Sequence, residues 1–225
     1  MNFTDSHKLD NPVWHSLSET HNKFVIDHNG IKFYNPEYCS FGGVGGNYTA
    51  EAINEYAELT NNFFIVGEKP DLPNGLQIKN EVICLQMVID KPIDTSISNE
   101  IVLLTPSHTE ALYQLVNLVQ PGYFMMKTAL MGNYYGIFEK GVLIAVTGER
   151  MQMDAFVEIS AVITHPDHTG KGYAKQLVAH AVNTVFKQKK IPYLHVVKSN
   201  IGAIKLYEKL GFITKREISF WNIVK

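Results

Sequence analysis

Apolar residues recur along this chain at two periods, and the contrast between them marks out its elements. In "YAKQLVAHAVNTVFK" (173–187), Ala174, Leu177, Val178, Ala181, Val182, Val185 and Phe186 form one stripe at the 3.6-residue period of a helix. Lys187, Lys189 and Lys190 gather at its end, where cations suit the helix dipole. "NYYGIFEKGVLIAVTGERM" (133–151) carries two apolar runs that turn at Lys140-Gly141, which predicts a hairpin. "AFVEISAVITHP" (155–166) predicts a strand stopped by Pro166, and "YLHVV" (193–197) a shorter one. "NIGAIKLYEKLG" (200–211) predicts a helix ended by Gly211, and "FITKREISFWNIV" (212–224) a final strand. Upstream, "EIVLLTP" (100–106) alternates like a strand. Ser107 with Glu110 then reads as a capping box opening a helix that carries Leu112, Leu115, Val116 and Val119 and stops at Pro121-Gly122. "FMMKTALMG" is a short helical or looped stretch. The order β-α-α-β-β-β-α-β-α-β mixes hairpins with crossovers, which predicts an α/β fold with a mixed sheet.

The first 95 residues are patterned less sharply. "NPVWHSLSETHNKF" predicts a helix from Pro12 and "TAEAINEYAEL" another, with strands at "FFIVGE" and "VICLQMVI". "FGGVGGNYT" (41–49) reads as a flexible loop, because no strand leads into its glycines. "DKPIDTSISN" (90–99), polar and interrupted by Pro92, is the expected linker. It divides the chain into an N-terminal α/β lobe, 1–97, and a second domain, 98–225. The chain has no internal repeat at a fixed period.

Composition narrows the function classes. A net charge of −2 and a pI near 6.5 give no basic footprint for nucleic acid. The longest apolar runs fall far short of the ~20 residues that span a bilayer, and "MNFTDSHKLD" has no secretory apolar core. Cys39 and Cys84 lack C-x-x-C spacing, which points to a reducing cytoplasm and away from a metal site.

Candidate chemistry centres on "HTGKGYA" (168–174), a glycine-rich turn opening the strongest helix. Such turns hold phosphates in several unrelated chemistries. A P-loop requires Gly-Lys-Ser/Thr, and here Gly172 precedes Tyr173-Ala174. A dinucleotide fingerprint requires a small residue where Lys175 stands and an acid ~20 residues on, where Lys190 or Val197-Lys198 stands.

With "YLHVVKSNIGAIKLYEKLGF" downstream, "EISAVITHPDHTGKGYAKQLVAHAV" resembles the GNAT superfamily of acetyl-CoA-dependent N-acetyltransferases. The resemblance covers roughly the last 125 residues. Its second element is the run of Asn200, Ala203, Tyr207, Gly211 and Phe212. "LDNPVWHSL" and "GERMQMDAFVEISAVITHP" are similar to bacterial members with an extra N-terminal segment. The resemblance implies a GNAT-type mixed central sheet flanked by helices, with an N-terminal α/β extension. It implies acetyl-CoA as donor, an amine acceptor and no metal, and it leaves room for a homodimer. Backbone groups of Val162, Ile163 and Thr164 would pair with the pantetheine arm. Thr169, Gly170, Lys171, Gly172, Tyr173, Ala174 and Lys175 would cradle the pyrophosphate, with Asn200 and Ala203 beside the arm. Where the family carries cationic or amide side chains before the first glycine, this chain has Asp167 and Thr169, and Thr169 is free to cap the helix. Tyr207 is the expected acid for the departing thiolate, with simple packing as its alternative, and Glu158 is the candidate base or else a solvated or paired core acid, with Glu149 a weaker candidate or a structural acid. A non-catalytic acyl-CoA sensor on the same fold is the alternative. Outside the motifs, His165 and His168 read as turn residues, His195 as a sheet residue, and Met125, Met126, Met131 and Tyr134 as core or acceptor-pocket residues.

Overall fold

The computed structural model describes residues 5–225. Helix α1 (Pro12–Ser18) starts at a proline, and the Asn11 side chain accepts from the Trp14 N–H. Strands β1 (Val25–His28), β2 (Ile31–Tyr34) and β3 (Phe41–Val44), helix α2 (Ala50–Ala57) and strands β4 (Asn62–Val66) and β5 (Gln77–Val88) follow. Next come strand β6 (Val102–Leu103), helix α3 (Thr109–Val119), and strands β7 (Tyr134–Glu139), β8 (Val142–Gln152) and β9 (Phe156–Thr164). Helix α4 (Tyr173–Lys187), strand β10 (Ile191–Val197), helix α5 (Ile201–Lys209) and strand β11 (Ile213–Val224) complete the chain. The described strands form one sheet in the order β1-β2-β3-β4-β11-β5-β10-β9-β8-β7-β6. Two pairs, β3–β4 and β9–β10, are parallel and the rest antiparallel, so the sheet is mixed as expected.

Adjacent strand residues point to opposite faces, and each face has its own cover. Val157 packs with Leu177, Val178, Val182 and Val185 of α4, whereas its neighbour Phe156 packs with Val13 and Leu17 of α1. Each of those aliphatic side chains contributes about 1.5–3 kcal/mol by burial. On the α1 side, α3 sets Leu112, Leu115 and Val116 against Val146 and Ile163.

Several expectations shift. The α3 region is capped by Thr105 rather than Ser107: the Thr105 N–H donates to His108 Nδ1 at 2.9 Å, and Pro106 takes the first position of a short 3-10 turn. Proline's fixed φ suits that position, which moves the start upstream. Only part of the glycine cluster is the expected loop: 41–44 is strand β3 between β2 and β4, and 45–49 is loop. Its glycines allow close packing: a Cβ on Gly42 would lie 2.4 Å from the Phe33 ring, and one on Gly45 2.1 Å from Trp14. The hairpin turn falls at Lys140 (φ 51°) and Gly141 (φ 81°), the double positive φ of a type I′ turn.

The linker is strapped down. The Asn183 side chain of α4 accepts from Ile93 N at 2.8 Å and donates to Ile93 O at 2.9 Å. Gln176 Oε1 accepts from the N–H groups of Ser98 and Asn99 at 2.8 and 3.0 Å. The ladders also cross the expected boundary, since β5 lies between β11 and β10. The segments before and after residue 97 therefore share one sheet and are not separately packed.

The N-terminal segment also buries a titratable chain. His21 Nδ1 meets the Tyr34 hydroxyl and Nε2 meets Met131 O, both at 2.9 Å, while Ser16 Oγ lies 2.7 Å from the same hydroxyl. Burial pushes the His21 imidazole from 6.5 down to about 4. Below about pH 6.5 the unfolded chain binds a proton that the folded state refuses, so stability falls with pH until about 4. The shift corresponds to about 3 kcal/mol. Burial moves His15 and His180 in the same direction, which makes the comparison with a variant essential. Urea titrations between pH 7 and 4 should show a loss of about that size in the wild type and a shallower one in His21→Gln. Equal slopes would place the acid sensitivity elsewhere.

Candidate active site

Strands β9 and β10 pair only from Ile191–Tyr193 against Phe156–Glu158 and then part. Beyond Glu158 no strand bonds to β9 on its β10 side among the described residues. The gap is a cleft of about 180 Å³. A bulge in β9 accompanies it. Val146 pairs with Ile163 and Gly148 with Ser160, so Thr147 alone opposes Ala161 and Val162, and Ala161 adopts φ 50°. An alanine at positive φ is strained, and bulges re-aim the strand beside them.

Of the expected cofactor residues, Val162, Asn200 and Ala203 line this cleft, and the glycine turn follows the end of β9 in the chain. His165 N bonds Ile144 O at 2.8 Å, so alternation turns the backbone groups of Thr164 toward the cleft and those of Ile163 toward β8. Val162 lines the cleft, whereas the Ile163 side chain is buried beneath α3. Gly170 and Gly172 both have φ 77°, and a Cβ on either would meet nothing within 4 Å, so the turn presents open backbone. Gly172 is the N-cap of α4 and no side chain satisfies the helix's first N–H groups. Thr169 does not cap it, because its hydroxyl donates to Pro166 O at 3.1 Å. Lys171 and Lys175 are exposed, Ala174 is half-buried, and Tyr173 turns into the core under α4. Asn200 Oδ1 accepts from Ala203 N at 3.1 Å and so opens α5, and both residues line the cleft.

Tyr207, two turns along α5, lines the same cleft with 7% of its surface exposed. Its ring meets Phe212 edge-on at 5.9 Å, and its hydroxyl makes no hydrogen bond among the described residues. Burial pushes the phenol up to about 12, so it keeps its proton at neutral pH.

Glu158 is placed differently. A register shift between Glu149 and Gln152 sets Arg150 and Met151 opposite it. Arg150 Nε and Nη2 each donate to its carboxylate at 2.7 Å. His195 Nδ1 lies 2.8 Å from Oε1. Burial alone would raise the carboxyl, but Arg150 and His195 outweigh it and hold it below the usual carboxylate range. Glu158 is 1% exposed, so what reaches the cleft is Arg150 and His195 and not the carboxylate between them. Glu149 is also buried. Asn133 and Gln152 donate to it, and burial raises its carboxyl.

Gln86 reports the state of His195. Its Nε2 donates to Leu9 O at 2.7 Å, which fixes the amide orientation, and it also faces His195 Nε2 at 3.1 Å. A donor facing Nε2 makes that nitrogen the acceptor, while Nδ1 faces the Glu158 carboxylate. Arg150 in this constellation has one faint sequence signal, an arginine inside an apolar strand that pairs with a strand carrying a glutamate. His165 and His168 are turn residues, as expected: the Asp167 N–H donates to His165 Nδ1 at 3.3 Å. Among the described residues no group of three or more His, Cys, Asp or Glu comes together as a metal site would require, and no helix is long and apolar enough to cross a membrane.

Splayed parallel strands, a bulge beside them and an uncapped glycine turn at the head of the following helix belong to a mixed α/β fold that matches solved GNAT acetyltransferases. Residues 134–221, from β7 through most of β11, match the family model described as FR47-like protein, so this part of the chain is a GNAT domain of the FR47-like type. A solved GNAT-family protein from Novosphingobium aromaticivorans is similar over 97% of this chain and 99% of its own, with 29% identity and a TM-score of 0.87. A GCN5-related N-acetyltransferase-like protein from Streptococcus suis shares the fold at TM-score 0.65 and 16% identity, covering 96% of each chain. A spermidine N(1)-acetyltransferase from Vibrio cholerae is 42% identical over 55 residues, 23% of this chain and 31% of that one. The match thus spans about a third of that curated relative.

Proposed function

We propose that the protein moves the acetyl group of acetyl-CoA directly to an amine, in the cytoplasm, with no covalent enzyme intermediate. The carrying observation is that the unpaired edge of β9 and Tyr207, whose hydroxyl has no partner among the described residues, line one cleft, while the open turn at Gly170–Gly172 follows the end of β9 and opens α4. The helix N-terminus suits the pyrophosphate, and the β9 edge suits the amide-bearing pantetheine arm as an added strand. The amine lone pair attacks the thioester carbonyl, forming N–C and then breaking C–S. The nitrogen loses one proton to water and the sulfur gains one from solvent, with the Tyr207 hydroxyl hydrogen-bonding to the sulfur as charge develops there.

Glu158 is a poor base in this reading, because Arg150 and His195 occupy its oxygens. The amine proton leaves instead to water in the cleft. Residues 98–225 hold the donor, while the segment before 97 shapes the acceptor end through Phe41 and Phe64, within the shared sheet. A non-catalytic sensor would have no use for an unpartnered phenol in the cleft wall.

Acetyl-CoA should raise the unfolding temperature, since it binds the folded state alone. Gly172→Glu puts a carboxylate where the pyrophosphate would sit and should abolish that shift. Gly172→Asn, which tolerates positive φ, should keep most of it. A wild-type protein stabilised by ATP or NAD but not by CoA would sink the reading.

A further inference from the structure

Of the side chains that line the cleft, Arg150 is the one that carries full charge, and none is acidic. The other basic side chain of the lining, His195, has both ring nitrogens engaged, by Gln86 and Glu158. Arg150 spends Nε and Nη2 on Glu158, which leaves Nη1 outside the pair, and its side chain is 15% exposed. Its guanidinium lies over the Phe41 ring at 4.7 Å from the centroid. Aromatic rings surround this end: Phe124 meets Tyr134 edge-on at 5.6 Å, and Tyr123 stacks on Phe64 at 5.5 Å. A polycation would find no carboxylate here and would face an arginine. An anion on an apolar body would find a donor held in place from behind and aromatic walls beside it.

We propose that the acceptor is a small amine bearing a carboxylate on an apolar body, a hydrophobic amino acid, and that Arg150 selects it. This rests on the acetyltransferase reading. The carboxylate accepts from the Arg150 edge that Glu158 leaves free, the side chain packs among Tyr123, Phe124 and Tyr134, and the amine turns toward the thioester. Arg150 acts by binding and orienting the acceptor and exchanges no proton.

The test compares phenylalanine with phenethylamine, leucine with isopentylamine, and spermidine, with kcat/KM expressed per unprotonated amine. A charge-assisted hydrogen bond of ordinary strength favours each amino acid over its decarboxylated partner about tenfold or more, with spermidine poorest. Arg150→Lys keeps the charge and loses the fork, and should reduce the preference to about threefold or less while the thermal shift with acetyl-CoA stays as in wild type. If that variant does not fold, 3-phenylpropanoate on the wild type decides. It should compete with phenylalanine and not with acetyl-CoA. Decarboxylated amines or spermidine used as well as the amino acids, or no competition by 3-phenylpropanoate, overturns this inference and leaves the acetyltransferase reading standing. Absence of any thermal shift with acetyl-CoA overturns both.

Discussion

Replacing Tyr207 by phenylalanine is expected to lower kcat about 10²- to 10³-fold and to leave acetyl-CoA affinity nearly unchanged. The hydroxyl has no protein partner and sits in the cleft wall, while the ring packs on Phe212 at 5.9 Å. Removing one oxygen therefore leaves the packing intact. A phenol pushed up to about 12 cannot transfer its proton downhill to a thiolate of ordinary basicity. Its contribution is a hydrogen bond that strengthens as charge builds on sulfur, completed by exchange with solvent. Such an interaction exists only in the transition state, so kcat and kcat/KM should fall together. Steady-state rates of thiol release, paired with CoA titration by thermal shift, check this. A variant with near-normal kcat would reduce Tyr207 to a packing residue.

Glu158→Ala should be among the most destabilising single substitutions in the chain, costing about 3 kcal/mol or more. It strips Arg150 of both of its hydrogen bonds to the carboxylate and leaves a guanidinium only 15% exposed. For a chain of this length that corresponds to a fall of roughly 6–12 °C in Tm. Glu158→Gln keeps the shape and should cost less. The same pair of variants separates structure from catalysis. If the carboxylate serves the ion pair, the Gln variant keeps the pH–rate profile of the wild type even where its rate is lower. If it serves as base, the low-pH limb disappears while stability changes little. A double-mutant cycle with Arg150→Met would isolate the coupling, which should be large because the two side chains share two hydrogen bonds.

Helix α4, the hairpin at Lys140-Gly141 and the run from Asn200 to Phe212 were legible in the sequence because their signals are local. A 3.6-residue stripe, a pair of turn residues and a cap each act within a few positions of chain. The GNAT resemblance has the same basis, since both of its motifs are short and contiguous. The tertiary structure decided what depends on partners distant in sequence. Residues 41–44 form a strand because Phe33 and Trp14, from other elements, pack over glycines that read as a loop. Gln176 and Asn183 lie outside the apolar stripe read on α4, and they hold the connection at 93–99. Strand β5 enters the sheet between β10 and β11, so the boundary at residue 97 separates motifs but not packing. The role of Glu158 turned on the same kind of information. The sequence offered it as a candidate base. Only the register shift that sets Arg150 opposite it, and the approach of His195 from β10, committed its oxygens and left the arginine to face the cleft. Local pattern determines which residues can form an element, whereas the charge and protonation of a buried group depend on neighbours that only the folded chain brings together.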